Sequence, residues 1–285
     1  MESTATRGLS PTNAAAAWDG VAVILAGGKG RRMGAVEQNK VCCPVAGRPA
    51  ILRAMEVYRA SGIHRFLAVV GALAEPVMRT VAEEHPETLY VFQPRAGGTG
   101  HAAQVAAAAL AVQNWTGPVM VTMGDKVPRA GAIRRLLDTF QTGGMDLLVS
   151  VLPKAGESSA GRMVTDERGQ VLGNVEVSDL RKARETGVRI RLGGRELTPD
   201  EVEARSPWVN GSLYVFRWPA LAASLKELRP NNVQGELYLT DAIEILIRMG
   251  RRVELMPISD PTDLMTFNTP AELAAIESVL ASNRG

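Results

Sequence analysis

The sequence predicts an α/β protein: a mostly parallel mixed sheet with helices on both faces, joined to a smaller β-rich part. Three observations lead there. Short apolar, β-branched segments alternate with helical patterns through the first half of the chain, the rhythm of βαβ units. Those strand segments are apolar throughout instead of alternating, as expected for strands buried on both faces. After Asp146 the rhythm gives way to strands with hairpin-type links.

Val21–Ala26 reads as the first strand and Pro49–Ala60 as the first helix. Strand Phe66–Val70, helix Pro76–Glu84, strand Leu89–Phe92 and helix His101–Val112 follow. Strand Val119–Thr122 and helix Ala130–Phe140 close the regular part. Asp146–Leu152, Gly161–Asp166, Val171–Val177 and Ser212–Phe216 read as the later strands. Ser178–Pro207 is polar and charged and reads as an inserted loop, with a short helix near Pro199–Ala204. Helices return at Leu239–Met249 and Pro270–Leu280, with strand Val253–Pro257 between them. Residues 1–20, rich in Ala, Ser and Thr, read as a frayed tail.

The chain has 285 residues, enough for a sizeable core. Its 32 basic and 30 acidic residues leave a formal charge of +2, so no global field points to nucleic acid or a membrane surface. No apolar run approaches the roughly 18 residues of a membrane span. Cys42 and Cys43 are adjacent, a poor arrangement for a disulfide or a metal site, so a cytoplasmic setting is expected. No feature of the sequence sets an oligomeric state.

Four segments carry candidate chemistry. The first strand runs into Gly27-Gly28-Lys29-Gly30-Arg31-Arg32-Met33. Glycines let a backbone approach a ligand closely, and their N–H groups can face phosphate oxygens. Met33 stands where the dinucleotide fingerprint needs a third glycine, and no Gly-Lys-Ser/Thr follows to make a P-loop. In the second segment, Gln93 precedes Gly97-Gly98-Thr99-Gly100-His101 at a helix start, where free N–H groups can bind an anion or a base edge. A glutamine amide can pair with a nucleobase edge. His101 is read as a helix-start histidine satisfied by backbone in preference to a general base. Third, Val119–Thr122 ends in Met123-Gly124-Asp125. A carboxylate at the carboxyl end of a central strand lies where open α/β sheets bind ligands, and it suits a hard Mg²⁺ ion that takes its other oxygens from phosphate and water. Fourth, Asn268 before Pro270 could give the same ion a neutral oxygen; read alone, it is a helix-start residue.

In order along the chain, these pieces resemble the sugar-nucleotide pyrophosphorylases, most closely the uridyltransferase domain of bifunctional N-acetylglucosamine-1-phosphate uridyltransferase. Leu25 to Met33 is similar to the signature loop, Gln93 with Gly98-Thr99-Gly100-His101-Ala102 to the base segment, and Gly124-Asp125 to the metal aspartate. Gly161-Arg162, Val175-Glu176, Val209 to Phe216 and Gln234 to Asp241 are similar to the later segments. The resemblance covers about residues 21–275. It implies a Rossmann-like nucleotide-diphospho-sugar transferase fold. Residues 21–145 would form a nucleotide-binding half, and 146–285 a sugar-binding half with an insertion at about 178–207. It implies a reaction of an NTP, with UTP favoured, and a sugar 1-phosphate, N-acetylglucosamine 1-phosphate among them, with Mg²⁺ as cofactor. Leu25, Ala26, Gly27, Gly28, Gln93, Gly98, Thr99 and Gly124 would hold the nucleotide. Arg32 and Lys40 would grip phosphates as catalytic residues. Met123, Gly161, Glu176, Asn210 and Thr240 would face the sugar, and Asp125 and Asn268 the metal.

Departures accompany the match. Asn39 stands where a proline is usual, Met123 where a tyrosine is usual, and Lys126 follows the metal aspartate. The stretch from Glu176 to Asn210 is longer than in those relatives, which leaves the sugar open. The acetyltransferase part of the bifunctional enzyme is not in the sequence, so no acetyl-CoA activity is expected. Ala26 to Gly34 also resembles molybdenum-cofactor nucleotidyltransferases, against which the segments from Gly161 to Asp241 speak. A sugar-nucleotide-binding regulator without catalysis is the remaining alternative.

Overall fold

The computed structural model describes residues 18–28, 30, 33, 39–156 and 158–282. Its main sheet has nine strands. β1 (Val21–Leu25), β4 (Phe66–Val70), β5 (Leu89–Phe92) and β6 (Val119–Met123) are parallel, in the order β6-β1-β4-β5. Beyond β6 the sheet continues through β13 (Trp208–Phe216), β9 (Arg162–Thr165) and β10 (Val171–Val175), all in antiparallel contact. β8 (Leu147–Pro153) lies antiparallel to β13 and carries β14 (Val253–Pro257) parallel to it. The mixed, mostly parallel sheet expected from the sequence is therefore present.

Strand alternation divides the core. Ala22, Ile24 and Ala26 face one layer with α1 (Ala50–Ala60), α2 (Ala74–Ala82) and α4 (Ala130–Gly143). Val21, Val23 and Leu25 face the other, with α3 (Gly98–Val112), α7 (Trp218–Glu227) and α8 (Asp241–Arg248). A strand apolar on both faces can only sit between two helical layers. Fully burying each valine, leucine or isoleucine among them contributes about 1.5–3 kcal/mol. Trp18, expected in the tail, instead packs edge-on against Phe140 at 6.4 Å between ring centroids.

Smaller elements complete the chain. A hairpin of β2 (Pro44–Val45) and β3 (Arg48–Pro49) follows a 3₁₀ turn at Lys40–Cys42. β7 (Lys126–Pro128) pairs antiparallel with β15 (Leu264–Thr266), and α9 (Pro270–Ser282) ends the described chain. This small sheet brings the segment before Asn268 beside the strand after Asp125. Cys42 and Cys43 are buried thiols outside any disulfide, and burial raises both pKa values. No helix among the described residues is long and apolar enough to cross a membrane.

The segment expected as an inserted loop is folded. It forms α5 (Val177–Thr186), a hairpin of β11 (Ile190–Leu192) and β12 (Arg195–Leu197), and α6 (Pro199–Ala204). Val164, Val175, Leu180, Leu192, Leu197 and Val202 give it a core of its own against β9 and β10. Thr198 and Glu201 close a reciprocal capping box at the start of α6. Glu203 then receives the Arg162 guanidinium at 3.0 Å, locking the segment to the sheet.

Candidate active site

The carboxyl ends of β1 and β6 are neighbours in register, with Leu25 opposite Met123. Their loops and the start of α3 enclose a cavity of about 460 Å³. Leu25, Ala26, Gly27 and Gly28 line it from β1, Met123 and Asp125 from β6, and Gln93, Gly98 and Thr99 from the β5–α3 side. Lys40 and Asn268 close it. Gly124 lies behind this wall, its N–H on Leu25 O at 3.0 Å. Residues spread over most of the chain thus meet at the strand ends, where open α/β sheets bind ligands.

One end of the cleft is built for cations. The Lys40 ammonium forms an ion pair with Asp125 Oδ2. It also donates to Asn268 Oδ1 and Phe267 O, each at 3.0 Å. Asn39 aims it there. Its amide donates to Ala26 O at 3.1 Å, and its Oδ1 accepts from Val41 N at 3.2 Å, capping the 3₁₀ turn that carries Lys40. The residue that departs from the usual proline is therefore the anchor of this turn. Lys126, also buried, lies within electrostatic reach of Asp125 and Lys40. Burial lowers its pKa to about 8, with Lys40 adding to the fall and Asp125 opposing it.

The donor set fits a hard divalent cation. Asp125 Oδ1 is buried without a hydrogen-bond partner, and Asp125 Oδ2 and Asn268 Oδ1 already converge on one cation, the Lys40 ammonium. Among the described residues no group of three or more His, Cys, Asp or Glu is placed to hold a metal. An ion here would draw one carboxylate and one amide oxygen from the protein and the rest from phosphate and water, the usual pattern for Mg²⁺.

The other end presents a polar amide. Gln93 is buried, and its Nε2 donates to Gly98 O at 3.2 Å and pairs with His101 Nδ1 at 3.1 Å. His101 is therefore engaged by a side chain, not by the backbone as expected. A Cβ on Gly27, just past the end of β1, would come within 2.7 Å of Gln93 Oε1, so a larger residue there would have to push that amide aside. Gly98 has φ +90°, and its α-carbon abuts Leu237 O. Thr99 does not cap α3. Its Oγ1 accepts from Leu239 N at 3.0 Å, while Gly100 N donates to Leu237 O at 2.7 Å. The 236–239 segment is thereby latched to the helix start and brings Glu236 into the cleft.

Of the residues implied for the sugar, only Met123 lines this cavity. The others form one chain beside it. Asn210 N donates to Gly161 O at 2.9 Å, and Gly161 packs on the Asn174 side chain. Glu176 Oε1 accepts from Asn174 Nδ2 at 2.8 Å and from Thr240 Oγ1 at 3.1 Å. Asn210 spends its own amide on Tyr214 Oη (2.7 Å) and Ser212 N (2.8 Å). Glu176 faces a second cavity of about 970 Å³, shared with α5 and α8. There Asp179, Glu244 and burial act on Asp241. Burial chiefly, then the charges of Glu176, Asp179 and Glu244, raises its carboxyl to about 7.

Arg32, expected to grip phosphates, lies outside the described residues, as do Lys29 and Arg31. Asn39 and Glu236 are additional polar groups in the cleft lining, and His101 stands behind Gln93. Asn39 carried a readable signal, an N-cap residue before a short turn. Glu236 reaches the cleft only through the latch to α3, which nothing local announces.

A MobA-like NTP transferase domain is matched over residues 22–227. The bifunctional protein GlmU of Paraburkholderia phytofirmans is 32% identical over 262 residues, 92% of this chain and 52% of that protein. GlmU of Geobacter metallireducens is 32% identical over 258 residues, 90% of this chain and 49% of that protein. The chain spans about half the length of the curated relatives it matches. A solved structure from Bacillus anthracis that carries the name glucose-1-phosphate thymidylyltransferase, in complex with sucrose, superposes with a TM-score of 0.69 at 19% identity. It covers 91% of this chain and 94% of its own, and shares the fold. With the greater part of its length matched, the chain belongs to the MobA-like NTP transferase domain family.

Proposed function

We propose that the cleft joins an NTP, UTP in the first place, to a sugar 1-phosphate, forming an NDP-sugar and pyrophosphate. The observation that carries this reading is the convergence of Asp125 Oδ2 and Asn268 Oδ1 on one cation position, held by the Lys40 ammonium, in a cleft that Gly27 and Gly28 also line. An oxygen of the sugar phosphate would attack the α-phosphorus in line. A P–O bond forms there as the bond to the pyrophosphate oxygen breaks.

The nucleophile is ionised near neutral pH, so no general base is needed. The carboxylates that line the cleft, Asp125 and Glu236, are accordingly not needed as bases. The barrier is repulsion between anions. Two unit charges about 4 Å apart cost roughly 4 kcal/mol at an effective dielectric near 20. Lys40 and the Gly27–Gly28 backbone would hold the phosphates, and Asp125 with Asn268 would hold Mg²⁺. When bound, Mg²⁺ supplies Lewis-acid neutralisation of phosphate charge. The Gly161, Glu176 and Thr240 chain would receive the sugar, with N-acetylglucosamine 1-phosphate the leading candidate from the GlmU likeness.

The test is pyrophosphate release across four NTPs and a panel of sugar 1-phosphates with Mg²⁺. Release that requires both UTP and a sugar phosphate supports the proposal. Release with GTP and no sugar phosphate, or with no pair in the panel, refutes it.

A further inference from the structure

The base end of the cleft is set by hydrogen-bond counting at Gln93. Its amide nitrogen carries two hydrogens, and the protein supplies two acceptors for them, Gly98 O at 3.2 Å and His101 Nδ1 at 3.1 Å. Turned over, the amide would set Oε1 against the Gly98 carbonyl oxygen, lone pair to lone pair. The orientation thus follows from its partners. His101 accepts at Nδ1 only as the tautomer with its hydrogen on Nε2. Oε1 is left beside Gly27, in the wall of the cleft, as the amide's one uncommitted atom.

We propose that His101 is a positioning residue that fixes Gln93 as a pure acceptor, so that the cleft selects nucleobases bearing a ring N–H. Uracil and thymine present N3–H, and guanine N1–H, to such an oxygen. Cytosine N3 and adenine N1 are acceptors and meet Oε1 lone pair to lone pair. Without the His101 acceptor, one amide hydrogen loses its partner and Gly98 O alone opposes a turn of the amide, so an acceptor-edged base meets a weaker barrier. His101 itself is not among the residues lining the cleft, so it acts through Gln93. The inference rests on reading this cleft as the NTP site.

The experiment measures kcat/KM for UTP and CTP in the wild type, His101→Phe and His101→Asn. An asparagine Oδ1 can restore an acceptor close to Nδ1. The wild type is expected to prefer UTP. In His101→Phe the preference should fall about 10- to 100-fold, the scale of one buried hydrogen bond made or mismatched. That fall should lie mainly in KM for UTP, with kcat nearly kept, and His101→Asn should recover most of it. His101→Leu carries the same comparison should the phenylalanine fail to fold. An unchanged UTP/CTP ratio in the variants, with UTP turnover intact, overturns the role of His101 alone. A wild type that uses CTP as well as UTP overturns the acceptor-only reading of Gln93, and a wild type that binds no NTP overturns the assignment of the cleft itself.

Discussion

Replacing Lys40 by methionine tests the cation position without any turnover. The ammonium it removes is held by Asp125 Oδ2, Asn268 Oδ1 and Phe267 O, and the two charged side chains are only 15% and 12% exposed. Removing one partner of a buried pair costs about 3–5 kcal/mol, because the other charge stays buried and unpaired. Lys126 lies close enough to share the load, so the lower end, about 3 kcal/mol, is expected. A divalent ion that binds the native state would return stability as its concentration rises, by about 2.7 kcal/mol at a hundred times its dissociation constant. In the wild type the ion must first displace Lys40, so the gain there should be smaller. Urea unfolding of both proteins, with and without Mn²⁺, reads all of this. A Lys40→Met protein as stable as the wild type, or one that gains no more than the wild type from Mn²⁺, refutes the reasoning.

Three further outcomes follow from the geometry. Gly27→Ala places a Cβ within 2.7 Å of Gln93 Oε1 and should raise KM for UTP about tenfold, roughly 1.4 kcal/mol, with kcat and the melting temperature little changed. Gly98→Ala combines φ +90° with a Cβ 2.4 Å from Leu237 O. It should cost about 1–3 kcal/mol in denaturant unfolding and loosen the 236–239 latch, read as faster amide exchange at Leu237 and Leu239. Asp241 keeps its proton in the folded state up to a pH of about 7, against 3.8 for the free group, because of burial and the charges of Glu176, Asp179 and Glu244. The folded state therefore binds the extra proton between those values, and stability falls as pH rises through that window. Asp241→Asn should flatten the decline, so its advantage over wild type should grow from low pH to pH above 7; an advantage that stays constant with pH contradicts the shift.

The nucleotide-side architecture was legible because its signals are local. β1 and β4 are unbroken apolar runs and β6 is apolar but for Thr122, and just beyond β1 and β6 come the cleft-lining Gly27 and Asp125. The short helix Pro199–Ala204 was legible for a similar reason, since Thr198 and Glu201 spell a capping box. What escaped was non-local or weakly patterned. α5 buries only Leu180 and Ala183, so its charged sequence reads as loop until the neighbouring β12 and α6 complete its core. The first half of β13 passes through Asn210 and Gly211, where a bulge interrupts the pairing and hides the strand. β7 and β15 are three residues each and lie far apart in sequence, yet together they bring Asn268 to Lys40. The Gln93–His101 pair depends on side-chain direction at a helix start, which spacing alone does not fix.

The central claim is that Asp125 anchors the ion that lets two polyanions meet. Its most direct test is mass-spectrometric detection of the UDP-sugar formed from UTP and a sugar 1-phosphate, with wild type and Asp125→Asn side by side. Product is expected from the wild type, none once Mg²⁺ is chelated, and a rate at least about 100-fold lower from the variant, on the scale of removing one electrostatic transition-state contact. Equal rates from the two proteins at saturating Mg²⁺ would contradict it.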